Sequence, residues 1–376
     1  MLSASPRLIA VGLACSLPPA SQWMEQRNSG LNGGHCEDFA ALSQLIYDGK
    51  IDPNKFGDAR TIDLKIASNE ALRRELAYWW ATQIPTFDNL IRFPDPNDAI
   101  QYVQDSYAKD PKDMLAIGIY KEDRTGGHAI TAYGVSDQDN GIFRILVYDN
   151  NYPDQECHVT VDTNALTWEY EASTNPSVAP STYRGGKDNP IEFLPDNLRV
   201  TDDFPCSFCS NTGSSRIGGI KVAAPAQQYN EISVERYVNV ELEDAKDRKV
   251  GYYENGKFVN ENTEAQVIGS RNETLIDVSP FINMPTRLDF TAYLWGDDNA
   301  ESHPASLVMI GQGFYVGIDN LKMKTGQEDQ LFVDGDGDVI NYKTDAEESP
   351  DIIVGIEKPS ADAVSFPRLI LNWQTS

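Results

Sequence analysis

A cysteine and a histidine each follow a pair of glycines, in Gly-Gly-His-Cys at positions 33–36 and Gly-Gly-His at positions 126–128. The strand-like segment after the histidine ends at Asp149. A thiol attacks a carbonyl carbon when an imidazole takes up its proton and a carboxylate orients that imidazole. The order Cys36, His128, Asp149 therefore indicates nucleophilic chemistry on a carbonyl compound.

Cys36 is the expected nucleophile because it lies where a glycine-rich loop turns into a helix. The helix dipole and the first backbone N–H groups stabilise a thiolate at this position. Gly33 and Gly34 leave room for a substrate chain. The alternative is an ordinary buried cysteine in an amphipathic helix.

The base must come from four histidines: His35, His128, His158 and His303. His35 adjoins Cys36, and neighbouring helix residues do not face each other. His158 follows Cys157 after a turn, and His303 lies in a polar segment. His128 opens a predicted strand and is the expected general base and acid, with a structural strand-end histidine as the alternative.

The third member must accept the other imidazole N–H. Alternation along the strand 142–149 places Phe143, Ile145, Val147 and Asp149 on one face. Asp149 is therefore favoured as the orienting residue, and Asn150 and Asn151 remain alternatives. For the oxyanion, the backbone N–H of Cys36 is the expected donor, with a side-chain amide as the second. The candidates for that amide are Gln26, Asn28 and Asn32, of which Gln26 is preferred.

Apolar spacing predicts the elements that hold these residues. The predicted helices begin near Cys36, at Asn69 and at Asp98, the last capped by Asp98 itself. The predicted strands are 115–120, 128–135 and 142–149, with 158–161 and 166–170 as extensions. Helices followed by an antiparallel sheet make an α+β domain, which we assign to residues 31–175.

The other segments have different patterns. Residues 1–30 read as an N-terminal extension, either a signal, a propeptide or a truncated start. The segment 176–215 is rich in Pro, Gly and Ser and is predicted to be a linker. Residues 216–376 contain many short strand-like runs and are predicted to form an all-β sandwich, Ig-like in type, as an accessory domain.

Composition narrows the classes of partner. The formal net charge is −26 and the pI is about 4.4, which argues against binding to nucleic acid. No apolar run approaches the roughly 18 residues of a membrane span. Five cysteines are few for a disulfide scaffold, and their odd number leaves at least one thiol unpaired.

Two motifs bear on metals. Cys206 and Cys209 offer only half of a zinc site, so a local disulfide or reduced thiols are preferred. The acidic run from Asp334 to Asp338 resembles a calcium loop, but Val339 stands where an EF-hand has glycine. A polar hairpin turn is therefore expected there. We expect no metal and no cofactor.

Three sequence motifs together resemble the papain-like cysteine peptidase superfamily, and more closely its bacterial Cys/His/Asp branch. They are Gly-Gly-His-Cys, Gly-Gly-His-Ala-Ile-Thr-Ala-Tyr and Tyr-Asp-Asn-Asn-Tyr-Pro, within roughly residues 25–170. The resemblance implies a papain-like fold with Cys36 as nucleophile, His128 as base and acid, and Asp149 as orienting residue. Two departures stand out: Gly30 occupies the family's glutamine position, and Glu37-Asp38 follow the cysteine.

The resemblance implies a cysteine peptidase with a protein or peptide substrate. Transglutaminases and deamidases use the same constellation, and a non-catalytic surface or adhesion protein is a further alternative. The β-domain would bind a cell surface or a protein partner, and an extracellular or cell-surface location is expected. Glu37 and Asp38 would favour basic or polar substrate residues.

Overall fold

The structure is a computed structural model that describes residues 18–31, 34–83, 90–109, 114–122, 126–172, 180–200, 203–206, 208, 215–217, 220–223, 227–234, 237–252, 257–269, 281–298, 300–335, 337, 339–344, 346, 350–356 and 370–375. They divide into two compact units. The first holds residues 29–200, and the second holds residues 18–28 together with those from 203 onward.

Three helices precede most strands of the first unit, as the apolar spacing predicts. The described helices are α1 (Pro18–Gly30), α2 (Cys36–Tyr47), α3 (Glu70–Ala81), α4 (Pro96–Lys109) and α5 (Asp196–Arg199), with 3₁₀ turns at Pro53–Phe56 and Thr61–Asp63. Asn69 caps α3 by accepting the Leu72 N–H at 3.1 Å. The predicted cap of α4 at Asp98 is wrong. That helix begins two residues earlier, where Asp95 accepts the Asn97 N–H at 2.9 Å.

An antiparallel sheet forms the rest of the first unit. Its described strands are β1 (Ile91–Arg92), β2 (Leu115–Tyr120), β3 (Gly127–Asp137), β4 (Ile142–Tyr148), β5 (Cys157–Asp162), β6 (Thr167–Ala172), β7 (Ser181–Gly185) and β8 (Glu192–Pro195). Their order across the sheet is β1-β8-β2-β3-β4-β5-β6-β7. The mixed, strand-rich class expected from the sequence is confirmed.

The structure contradicts the predicted linker over much of its length. Residues 181–185 and 192–195 are β7 and β8, and β8 pairs with β2 inside the sheet. Asn189 fixes the turn between them, because its side-chain amide donates to the carbonyls of Tyr120 and Arg184 at 3.0 and 2.9 Å. The Pro, Gly and Ser content marks the tight turns around these short strands, and the unit ends near residue 200.

The two faces of β3 contact different helices. Ile130 belongs to a core that includes Ala99, Ile100 and Val103 of α4. Its neighbour Ala129 contacts Ala40 and Cys36 of α2. Successive strand residues point to opposite faces, so β3 lies between the two helices and the N-terminus of α2 lies beside the start of β3.

The second unit is built from strands. Those described are β9 (Asp203–Pro205), β10 (Ser215–Ile217), β11 (Ile220–Ala223), β12 (Tyr229–Val234), β13 (Val238–Asp244), β14 (Lys249–Tyr252), β15 (Phe258–Asn260), β16 (Gln266–Ile268), β17 (Phe281–Pro285), β18 (Phe290–Gly296), β19 (Ala305–Gly311), β20 (Phe314–Leu321), β21 (Glu328–Val333), β22 (Val339–Thr344), β23 (Asp351–Ile356) and β24 (Ile370–Thr375). The first three form a small sheet in the order β10-β11-β9.

The remaining strands form two larger sheets around one core. Their orders are β16-β17-β12-β19-β20-β23 and β15-β14-β13-β18-β21-β22-β24. Pairing is antiparallel except between β22 and β24, which run parallel. Ile232 and Met309 of one sheet and Val240 and Leu294 of the other belong to the same buried cluster, which makes this unit a sandwich.

Part of the predicted N-terminal extension belongs to the second unit. Arg27 of α1 is buried and its Nη2 lies 2.6 Å from Glu231 Oε1 on β12. Its guanidinium also lies over the Phe281 ring, 3.7 Å from the centroid. Residues 18–28 therefore pack as an element of this unit, and positions 1–17 lie outside the described residues.

The two motifs that were considered as metal sites, at Cys206 and at residues 334–338, take part in a disulfide and in a hairpin connection. Cys206 is disulfide-bonded, and Cys36 and Cys157 are free, so the partner of Cys206 lies outside the described residues. The Asp-rich segment joins β21 to β22, an antiparallel pair, as expected of a hairpin turn. Asp334 Oδ1 accepts the Val339 N–H at 3.1 Å, which closes that turn.

Among the described helices, none is both long and apolar enough to cross a membrane.

We expect Asn189→Ala to lower the free energy of unfolding by about 1–3 kcal/mol, because it removes the Asn189 donor from the buried Tyr120 carbonyl and the partly buried Arg184 carbonyl. Urea denaturation followed by tryptophan fluorescence measures the change. Asn164→Ala is the control, since the exposed Asn164 amide donates to Asn140 O at 2.7 Å and water can replace it. Equal losses in the two variants would contradict the integration of residues 181–199 into this sheet.

Candidate active site

The β3–β4 hairpin brings His128 and Asp149 together. Ala132 pairs with Val147, so alternation places His128 and Asp149 on the same face of the sheet. His128 Nε2 lies 2.9 Å from Asp149 Oδ2, and both side chains are completely buried. An ionised carboxylate only accepts, so Nε2 carries the proton of this hydrogen bond.

Asp149 has donors from two further parts of the first unit. The Tyr170 hydroxyl on β6 donates to Oδ2 at 2.7 Å, and the Asn151 backbone N–H donates to Oδ1 at 2.8 Å. Burial raises the pKa of Asp149, but the His128 charge and these hydrogen bonds outweigh it, so the pKa is lower than usual. Asn150 and Asn151 are the alternatives to Asp149 for orienting the imidazole. Their side-chain amides bond to each other, since Asn150 Nδ2 donates to Asn151 Oδ1 at 3.1 Å.

His128 is held between Asp149 and Cys36. Burial lowers the pKa of His128, but the charge and hydrogen bond of Asp149 and those of Cys36 raise it well above its ordinary value of 6.5. Nδ1 has no hydrogen-bond partner among the described residues, and Cys36 is close enough to contribute to the raised pKa of the ring. The rings of Tyr170 and Tyr183 stack beside the imidazole, with centroids 6.4 and 6.1 Å away.

Cys36 is the first residue of α2 and contacts Ala40 and Ala129. It is a free thiol, of which only 5% is exposed. Gly34 precedes it with a φ of 148°, a conformation that glycine adopts far more readily than other residues. Gly33 lies outside the described residues. The thiol thus sits at a helix N-terminus, and it contributes to the raised pKa of His128.

The two acidic residues after Cys36 point into the protein interior. Glu37 and Asp38 are both completely buried. Glu37 Oε1 lies 2.5 Å from Arg199 Nη2, and Arg199 Nη1 donates to Thr82 Oγ1 at 3.2 Å. The suggestion that these carboxylates select basic substrates is therefore wrong, because each has a buried structural role.

Asp38 pairs with His35, the residue before Cys36. His35 Nδ1 lies 2.7 Å from Asp38 Oδ2, while 42% of the His35 side chain is exposed. Burial raises the pKa of Asp38 to about 6, although the bond to His35 opposes the shift. His35 is thus bound to a carboxylate of its own helix, and it is the exposed polar side chain next to Cys36.

The remaining candidates lie elsewhere. Gln26 groups with the second unit, where its Nε2 donates to Ser233 Oγ at 2.5 Å. That engagement counts against its oxyanion role, which stays a prediction. His158 lies on β5, and His303 stacks against Tyr237 in the second unit. Within the described ranges, no group of three or more His, Cys, Asp or Glu side chains could hold a metal ion.

Sequence reasoning missed Tyr170 and Arg199. The signal for Tyr170 is present, because β6 alternates strictly between exposed and buried residues and Tyr170 is one of its buried polar positions. Nothing local marks Arg199, which pairs with Glu37 across more than 160 positions of the chain.

Comparison with protein-family models, curated proteins and solved structures gives no match.

Glu37→Gln should lower the free energy of unfolding by about 3–5 kcal/mol, because Arg199 is left buried without its counter-charge. Substrate charge preference should not change, since Glu37 is not exposed. The control is Glu169→Gln, which breaks a surface pair with Arg184 at 3.8 Å and should cost less than about 1 kcal/mol. A folded Glu37→Gln protein of unchanged stability but altered charge preference would restore the substrate-selecting role.

Proposed function

We propose that this chain is a papain-like thiol hydrolase that cleaves peptide bonds. Cys36 is the nucleophile, His128 the general base and acid, and Asp149 the residue that orients the imidazole. The observation that supports this most is the position of His128, which is bonded to Asp149 through Nε2 and interacts with Cys36. A merely structural buried histidine needs only one of these partners.

The residues support a two-step reaction. The Cys36 thiolate attacks the peptide carbonyl carbon, and the His128 imidazolium protonates the leaving amine as the C–N bond breaks. Water, deprotonated by His128, then attacks the thioester and releases the acid, which restores thiolate and imidazolium. Asp149 stabilises the imidazolium throughout without taking its proton.

The oxyanion needs N–H donors during both steps. The backbone N–H groups at the start of α2 are the proposed donors, since Cys36 is the first residue of the helix. The helix dipole acts in the same direction on the developing negative charge. A side-chain amide is not required for this arrangement.

Acyl transfer to an amine is the second candidate. Only 5% of Cys36 and none of His128 is exposed, so little water reaches the reacting groups. A dry site slows hydrolysis of a thioester relative to attack by a bound amine. This burial favours a transglutaminase-type reaction to the extent that an amine substrate binds at the site.

The second unit is proposed as a binding module that places the enzyme on a surface or a protein partner. The disulfide at Cys206 supports an extracellular or cell-surface location, because structural disulfides persist in oxidising compartments. The two large sheets have six and seven described strands, which together are more than the seven to nine strands of an Ig-like domain. The Ig-like type therefore stays a prediction.

Cys36→Ala should abolish turnover of peptide substrates and the fast phase of alkylation by iodoacetamide, a small uncharged reagent suited to a nearly buried thiol. Cys157→Ala is the matched control, since Cys157 is the other free thiol in the described part of the chain. Burial raises the pKa of Cys157, so its thiolate is scarce. Turnover that persists in Cys36→Ala would overturn the proposal.

A primary amine separates hydrolysis from transfer. With a casein substrate and excess labelled cadaverine, a peptidase yields cleaved backbone and a transferase yields labelled, uncleaved protein. We expect cleavage, with Cys36→Ala giving neither product. Cadaverine incorporation without cleavage would replace the peptidase by the acyl transferase.

A further inference from the structure

We propose that Tyr170 is a positioning residue of this site: its hydroxyl holds the Asp149 carboxylate in the ionised form and orientation that His128 requires. The inference rests on the proposed function and adds a residue to it. Tyr170 acts through Asp149 and does not touch the reacting atoms.

The contact is specific. The Tyr170 hydroxyl donates at 2.7 Å to Asp149 Oδ2, the same oxygen that His128 Nε2 contacts at 2.9 Å. Tyr170 is 3% exposed and Asp149 is completely buried, so water does not compete for that oxygen. The two donors arrive from β6 and β3 and fix the direction in which Oδ2 faces the imidazole.

The Tyr170 hydroxyl proton is donated to the Asp149 carboxylate. A phenol has a single O–H, and an ionised Asp149 can only accept it. Burial and the Asp149 charge raise the pKa of Tyr170, so the hydroxyl stays protonated. The Cys157 thiol on β5 is a further titratable group beside this hydroxyl. The two printed contacts join Tyr170 and His128 to the same oxygen of Asp149.

The sign of the effect follows from Asp149. The Tyr170 hydrogen bond lowers the pKa of Asp149, so removing the hydroxyl raises that pKa. As pH falls, Asp149 is then protonated earlier and the His128 imidazolium loses its counter-charge at a higher pH. The titratable groups around this bond include His128, Tyr148, Cys157 and Tyr183, and Tyr170→Phe leaves all four in place.

The test measures the rate of Cys36 alkylation by iodoacetamide against pH in the full chain. In Tyr170→Phe we expect the acidic limb of this profile to move upward by about one pH unit. Tyr120→Phe is the matched control, because Tyr120 is also 3% exposed and donates to a carboxylate, Glu192, at 3.1 Å. Its acidic limb should stay in place although it loses a similar hydrogen bond.

A double variant, made in the Asp149→Asn protein, tests whether Tyr170 acts through Asp149. Adding Tyr170→Phe to Asp149→Asn should change the alkylation rate by less than about twofold, because the carboxylate it orients is gone. An unshifted acidic limb, or equal slowing in both backgrounds, would overturn the positioning role. If wild-type Cys36 itself reacts no faster than a free thiol, the proposed function fails instead.

Discussion

The buried negative charge of Asp149 is the constraint on which the candidate site depends. A carboxylate without solvent contact is stable only when charged or N–H and O–H partners surround it. Here the partners come from β3, β6 and the turn after β4. The antiparallel sheet must bring these segments together, and the position of His128 beside Cys36 follows from that assembly.

The same rule explains the turn that carries Cys36. Glu37 and Asp38 bring two buried carboxylates to the N-terminus of α2, next to Cys36, the proposed nucleophile. Each charge is paired, Glu37 with Arg199 and Asp38 with His35. Pairing keeps the surroundings of Cys36 close to neutral. Because Arg199 lies on α5, the last helix of the unit in sequence, that helix also supports the site.

Local sequence patterns predicted much of this arrangement. Apolar spacing located α2, α3 and the three central strands, and alternation along β4 singled out Asp149 over the asparagines after it. Elimination among four histidines left His128. The inferences about the helices, the strands and Asp149 used residues within one element or one hairpin, where interactions act over short distances along the chain.

The rest depended on pairing between distant segments. The composition of residues 181–199 resembles a loop, yet the sheet supplies partners for both short strands. Glu37 looks like a surface acid until Arg199 is placed beside it. Gln26 looks like an oxyanion donor until α1 is seen to pack with the second unit. Sequence shows which groups are charged or polar, but not which partner each one meets.

The protonation state of His128 tests the central claim most directly. Nitrogen-15 NMR of the ring, assigned with a His128→Asn variant, reports whether one or both nitrogens carry a proton. We predict a doubly protonated imidazolium that persists above the ordinary pKa of 6.5 and that depends on Asp149. A neutral ring at pH 7, or a titration unchanged by Asp149→Asn, would contradict a triad built on this carboxylate.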